Sequence, residues 1–286
     1  MGVMSREIVL RKSFPVAWLP YAGRWAYWLE ASGYTSETVT TRARKLRYVA
    51  ELVDCDPLDV TSSLLVDVFA RQEWKRETRK AYTATVRSFY QFLVGEGLLD
   101  VDPTQRLPHV RRERAVPHPC PEYVLRQAVV RAQGDKKLIA MLKLGAECGL
   151  RRSEIAQVNS HDVIEVNGCS QLLVHGKGRK ERVVPLPDDL AVFIQHQYGF
   201  VFPGRFGGHV ESSYVTKHLS HLLGEGYSAH SLRHRYATRM YEGTHDLLLV
   251  SKLLGHESVE TTQVYLSLQV PDSVDIVSAV SIGIRL

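Results

Sequence analysis

Two short stretches near the end of the chain gather side chains suited to holding an anion. Residues 229–238 read AHSLRHRYAT, and residues 253–265 read LLGHESVETTQVY. Together they supply imidazoles, guanidinium groups and one closing phenol. His230 and Arg233 stand three apart at the expected start of a helix, so they share a face. A helix N-terminus draws a negative group, which makes the pair compatible with a phosphate site. The plain alternative is a surface HxxR, which chance supplies often. His256 and Tyr265 are nine residues apart, and one continuous helix would set them on opposite faces. Gly255 closes an apolar run where a C′ glycine belongs. The chain breaks there, so imidazole and phenol can converge.

Metal binding is the competing reading of these histidines. His230 and His234 are four apart, and His218 and His221 three apart. No HExxH is present, and no carboxylate falls in register. Cys55, Cys120, Cys148 and Cys169 contain no CxxC pair, so a thiolate zinc site and a disulfide framework are both unexpected. No metal and no cofactor are expected.

Two more basic motifs precede these. Residues 149–155, GLRRSEI, place arginine at a helix start with a carboxylate one turn on. Residues 176–180, GKGRK, place a lysine at the tip of a hairpin. The second is not a nucleotide loop, because GxxxxGK[ST] is absent. Alone, it is a basic turn.

The elements that must position these residues follow from periodicity. Residues 101–121 hold five prolines and four arginines and cannot form regular helix. They mark a linker over 103–120 between a first part, 1–102, and a second, 121–286. The first part reads as four helices, near 16–32, 37–53, 61–73 and 75–94. The fourth carries an apolar stripe of Tyr82, Val86, Phe89 and Leu93. Its opposite side holds Arg76, Arg79, Lys80, Thr83 and Arg87, a spacing that keeps cations together. A solvated face is the bland reading; the arginines of the adjacent linker favour a stripe that tracks phosphates.

The second part opens with helices near 121–133 and 135–147 and a third from about Ser153. The period then shifts to two. Asn167-Gly168 is a strong hairpin turn, and strands at 163–166, 170–175 and 182–186 form an antiparallel meander. Helices resume near 188–197, 211–224, 230–242, 246–254 and 261–267. The expected class is mainly α with one small three-stranded antiparallel sheet.

Composition agrees with a soluble chain: 44% hydrophobic, 23% charged and a net charge of +5 over 286 residues. The excess sits in residues 1–112, with 17 Lys+Arg against 13 Asp+Glu. An electrostatic grip on nucleic acid belongs mostly there. No apolar run is long enough for a membrane span, and no secretory leader is evident. A cytoplasmic, nucleoid-associated location is expected.

The motifs are weak singly, but their order is specific: GLRRSEI, a hairpin with GKGRKERVVPL, HSLRH, LLGH, then tyrosine nine residues later. This series resembles the tyrosine recombinases, or phage-type integrases, over nearly the whole chain. The helical first part looks like that family's core-binding domain, and residues 115–286 like its catalytic domain. The resemblance implies strand cleavage through a 3′-phosphotyrosyl link, with no metal or ATP. It makes Tyr265 the nucleophile. Arg151 and Arg233 would hold the phosphate, Lys177 would protonate the leaving oxygen, and His230 would move the tyrosine's proton. His256 would bond the phosphate, and Glu154 would support an arginine or merely cap a helix. Arg152 falls outside the site in this frame, and His234 is structural.

The same resemblance implies duplex DNA with inverted half-sites as partner, and a homotetramer on DNA from a monomer in solution. A directionality factor is possible. The two parts would grip the duplex like a C, using Arg44, Arg76, Arg79, Lys80 and Arg87, with Arg111 and Arg112 from the linker and Arg179 from the hairpin. No extra arm-binding domain is expected. The expected role is a phage or mobile-element integrase. The alternatives are Xer-like resolution, or a DNA-binding protein without strand exchange.

Overall fold

Three aromatic side chains organise the first helices. Trp18 stacks on Phe89 with ring centroids 5.4 Å apart, and Trp25 meets the same ring edge-on at 5.6 Å. Aromatic rings prefer these offset and edge-to-face contacts. In the computed structural model, which describes residues 14–110, 118–176, 180–224 and 226–255, they join helices distant in sequence. The chain divides into two compact units, Met1–Glu113 and Arg114–Leu286.

The first unit contains α1 (Leu19–Ala31), α2 (Ser36–Val53), α3 (Ser62–Ala70) and α4 (Arg76–Gly95). Thr35 and Thr61 cap α2 and α3 by accepting the Thr38 and Leu64 amides, the usual service of a hydroxyl at an N-cap. Leu29, Leu46, Leu65, Val86, Phe89 and Leu93 fill the core at 0% exposure.

Thr83, Arg79, Arg87 and the start of the linker differ from the expected pattern in this unit. Thr83 is buried rather than part of a solvent face; its hydroxyl bonds back to the Arg79 carbonyl at 2.9 Å. Arg79 donates from Nη1 to the Phe69 carbonyl and from Nη2 to the Gln72 carbonyl, both at 2.6 Å. It therefore braces the end of α3, adding a charged donor to the Phe69 carbonyl, which already accepts the Gln72 amide at 3.3 Å. Arg87 donates to the Leu107 carbonyl at 2.8 Å. Helical spacing put these residues on one face, but tertiary neighbours cover part of that face. Finally, the stretch expected to be linker starts as part of this unit: Pro103–Arg106 forms a 3₁₀ turn and Leu107 is buried.

The second unit runs α5 (Glu122–Arg131), α6 (Lys136–Ala146), α7 (Arg152–Gln157), β1 (Val163–Val166), β2 (Cys169–His175), β3 (Glu181–Pro185), α8 (Asp188–Gln195), α9 (Ser212–Leu223), α10 (Ala229–Thr244) and α11 (Leu247–Leu254). The strands form one antiparallel sheet in the order β1-β2-β3. Asn167 and Gly168 both take positive φ, 52° and 77°, as a two-residue type I′ hairpin requires. Val163 pairs with Leu172, and His175 with Glu181. The fold is thus mostly helical with one small three-stranded antiparallel sheet. Among the described residues no helix is long and apolar enough to cross a membrane.

Two contacts set α10 against the end of α6. Leu232 packs on Gly145, and the Tyr236 ring lies on Gly149, where an added Cβ would fall 2.4 Å from a ring carbon. Gly149 also has φ +64°, a conformation costly for side-chain-bearing residues. This glycine lets α10 approach and turns the chain into Arg151. Arg235, buried, fastens the same helix to Glu122 on α5 at 2.8 Å and to the Ala146 carbonyl at 3.2 Å.

Candidate active site

Glu154 sits at the centre of the site, only 4% exposed. Its position in the first turn of α7 follows from GLRRSEI: Oε2 accepts the Arg151 amide at 2.8 Å, and Oε1 accepts Nη1 of Arg151 at 2.8 Å. A second guanidinium reaches it from β3, with Arg182 donating from Nη1 to Oε1 and from Nη2 to Oε2, both at 2.8 Å. Such parallel fork contacts are among the stronger charged hydrogen bonds. Nη1 of Arg233, on α10, lies 3.9 Å from Oε2. Burial alone would raise the Glu154 pKa. The hydrogen bonds and charges of Arg182, then those of Arg151, overcome it and bring the carboxyl to about 2. Glu154 is therefore an anion at neutral pH. It accepts hydrogen bonds from both the side chain and the backbone amide of Arg151.

The same three arginines hold the end of α11. Nε of Arg182 donates to the Leu253 carbonyl at 2.7 Å, Nη2 of Arg233 to the Leu254 carbonyl, and Nη2 of Arg151 to the Gly255 carbonyl at 3.2 Å. A helix C-terminus leaves its last carbonyls unpaired and carries partial negative charge. Here three consecutive carbonyls each take a cation from a different element. Gly255 ends the helix in the left-handed region, φ +63°, as expected for the C′ glycine of LLGH. Arg233 also donates to the Gly149 carbonyl at 2.7 Å and is buried.

Above this cluster lies a pocket of about 350 Å³, lined by Arg151, Arg152, Ser153, Thr216, Ser228, Ala229, His230 and Arg233. Ser228 caps α10 by accepting the His230 amide at 3.2 Å, which sets the imidazole at the pocket's edge. His230 titrates below its usual range, because burial and then the charges of Arg233 and Arg151 disfavour its cation. It is neutral at pH 7 and able to accept a proton. His234, one turn on, lies 4.2 Å from His230 between ring centroids. Burial, His230, Arg233 and His118 bring it to about 4. Among the described residues no group of three His, Cys, Asp or Glu side chains is arranged to hold a metal ion.

Arg151, His230 and Arg233 therefore converge on one pocket, with Glu154 beneath two of them. Arg152, expected outside, lines the same pocket and donates to the Thr216 hydroxyl at 3.4 Å. Lys177, Arg179, His256, Tyr265, Arg111 and Arg112 lie outside the described residues. The residues bracketing the hairpin turn are described. The Gly176 amide donates to the Lys180 carbonyl at 2.7 Å, and a Cβ built on Gly176 would stand 3.9 Å from Oε1 of Glu154. Arg44 and Arg76 are exposed on the first unit, and Lys80 is half-buried. Arg182, Thr216 and Ser228 were not singled out by the sequence reading. For Arg182 a signal existed: it alternates in register with buried Val184 along β3, and a cation on the inward face of a strand needs a buried partner.

The phage integrase family model matches residues 125–270. Among relatives, the tyrosine recombinase XerC of Pseudomonas fluorescens is 30% identical over 226 residues, 71% of this chain and 73% of that protein. The tyrosine recombinase XerD of Proteus mirabilis is 28% identical over 267 residues, 83% of this chain and 84% of that protein. Among solved structures, a lambda integrase tetramer bound to a Holliday junction is similar in fold, with a TM-score of 0.66 at 17% identity, covering 84% of this chain and 77% of that one. The order of motifs read from the sequence and the match across the α-rich second unit agree: the chain belongs to the phage integrase family and is a site-specific tyrosine recombinase.

Proposed function

We propose that the chain cuts and rejoins duplex DNA through a phosphodiester bond to Tyr265, with the pocket between α7 and α10 holding the attacked phosphate. The observation that carries this reading is the convergence of Arg151, Arg233 and His230 on that pocket. Two guanidinium groups suit the non-bridging oxygens, whose charge grows in the transition state. A phenol is a weak nucleophile near neutral pH. Neutral His230 takes its proton as the phenol oxygen attacks phosphorus. The bond from phosphorus to the 5′-oxygen breaks, and Lys177 supplies the proton that oxygen needs. The products are a 3′-phosphotyrosyl link and a free 5′-hydroxyl. Attack by a 5′-hydroxyl from another strand reverses the step and completes exchange. His256 bonds the phosphate, and Glu154 orients Arg151.

The partner in this reading is DNA with inverted half-sites, bound by a monomer that assembles into a tetramer. The fold shared with a lambda integrase tetramer on a Holliday junction supports it. On the first unit, Arg44, Arg76 and Lys80 are the proposed phosphate contacts, with Arg111, Arg112 and Arg179 completing the set. We read the biological role as integration by a phage or mobile element, with a directionality factor separating insertion from excision. Xer-like resolution is the second reading, favoured by the two Xer relatives.

The test is a covalent trap. Wild type and Tyr265→Phe are mixed with nicked fragments of source DNA, denatured in detergent, and the attached DNA is sequenced. Adducts in the wild type alone support the reading, and the position of the trapped site separates integration from resolution. DNA held before denaturation but released after it, in both proteins, contradicts it.

A further inference from the structure

Arg182 has no part in the chemistry above, yet it joins the two halves of the site. Its guanidinium forks onto Glu154 through both Nη atoms while its Nε holds the Leu253 carbonyl at 2.7 Å. Its side chain is 10% exposed, so it lies beneath the pocket and not in it. The next two carbonyls, Leu254 and Gly255, go to Arg233 and Arg151. The end of α11 is therefore hung from the same carboxylate-centred network that sets the two phosphate-facing arginines. Immediately beyond it begins the segment that carries His256 and Tyr265.

Gly255 supports the same conclusion from the other side of the contact. A Cβ there would stand 3.0 Å from Cδ of Arg182 and 3.4 Å from Nε, at a φ of +63°. A side chain at residue 255 would crowd Arg182, which would have to shift by a few tenths of an ångström.

We propose that Arg182 is a positioning residue for strand cleavage: by tying Glu154 to the last turn of α11, it fixes where the chain departs toward Tyr265 relative to Arg151 and Arg233. The inference rests on the function proposed above. Small misplacement of reacting groups costs rate steeply, about a hundredfold for an ångström. On this proposal Arg182 acts on the rate of cleavage rather than on the affinity for DNA.

The experiment measures single-turnover adduct formation on nicked source-DNA fragments, across fragment concentrations, for wild type, Arg182→Gln and Arg182→Lys. The expected result for Arg182→Gln is a rate at saturation reduced by roughly 10- to 100-fold, with half-saturation unchanged within about twofold. Arg182→Lys, which keeps a cation against Glu154, recovers part of the rate. A saturating rate equal to wild type overturns the proposal, as does a change confined to half-saturation. Should Arg182→Gln fail to fold, Gly255→Ala, which crowds the same junction, decides: slowed adduct formation at saturation supports the proposal, and a wild-type rate overturns it. A wild type that forms no adduct removes the proposed function, and this inference with it. Normal adducts in wild type with unaffected variants remove the inference alone.

Discussion

Arginine closes a helix end in both units, and it does so differently in each. In the first, Arg79 alone covers the carbonyls of Phe69 and Gln72 at the end of α3, its guanidinium 5.8 Å from the Trp74 ring centre. In the second, Arg151, Arg182 and Arg233 share the end of α11 and gather around buried Glu154. The first arrangement is a clamp. The second is a clamp beneath a pocket, because Arg151 and Arg233 also line the space where His230 stands. A buried carboxylate that orders several cations around an open volume is what distinguishes a site from a brace.

Replacing that carboxylate should break the contrast most sharply. Glu154→Gln leaves Arg182 facing a neutral partner in a buried setting, and removing one partner of a buried pair costs about 3–5 kcal/mol. The effect should depend on pH. The folded carboxyl titrates at about 2, below the ordinary value of 4.5, so its stabilisation is complete above the unfolded value and is lost as pH falls toward 2. Chemical denaturation of wild type and variant should show a large gap at pH 7 that closes on acidification through that window. A gap independent of pH would contradict the assigned charge.

Arg233→Lys should come next, acting on chemistry more than on fold. Loss of a fork-shaped donor at the phosphate should slow single-turnover cleavage by about 10²–10³-fold, measured at saturating DNA. Arg79→Ala should do the reverse. It removes two hydrogen bonds to backbone carbonyls and should lower stability by about 1–3 kcal/mol. The salt dependence of DNA binding should stay as in wild type. The smallest effect belongs to Lys80→Ala: melting unchanged within about 0.5 kcal/mol, and the slope of log affinity against log salt shallower by about one. A shallower slope in Arg79→Ala and none in Lys80→Ala would invert the division between brace and DNA contact.

This contrast also shows what the sequence reveals and what it does not. The hairpin was legible because Asn-Gly demands positive φ at both positions, and the C′ glycine at 255 for a similar reason. Arg151, Glu154, His230 and Arg233 were legible because the motifs place them at helix starts, where local geometry dictates direction. Thr83, Arg79 and Arg87 misled because helical spacing states which side chains share a face, not which neighbour covers it. Arg182 is not singled out by its motif, and Arg152, expected outside the site, lines the pocket, on similar grounds. One points inward from a strand to a carboxylate 28 positions away, and the other meets α9 through Thr216. Such contacts arise from tertiary assembly: the strand register marks Arg182 as inward-facing, but not which carboxylate it meets.

In the proposed reaction this pocket serves a nucleophile at Tyr265. The most direct measurement is to digest the detergent-denatured protein–DNA adduct with protease and nuclease and locate the modified residue by mass spectrometry. The account predicts a nucleotide phosphate esterified to Tyr265, and its disappearance in Arg233→Lys at short times. A nucleotide on another side chain, or none in a preparation that cleaves DNA, would contradict it.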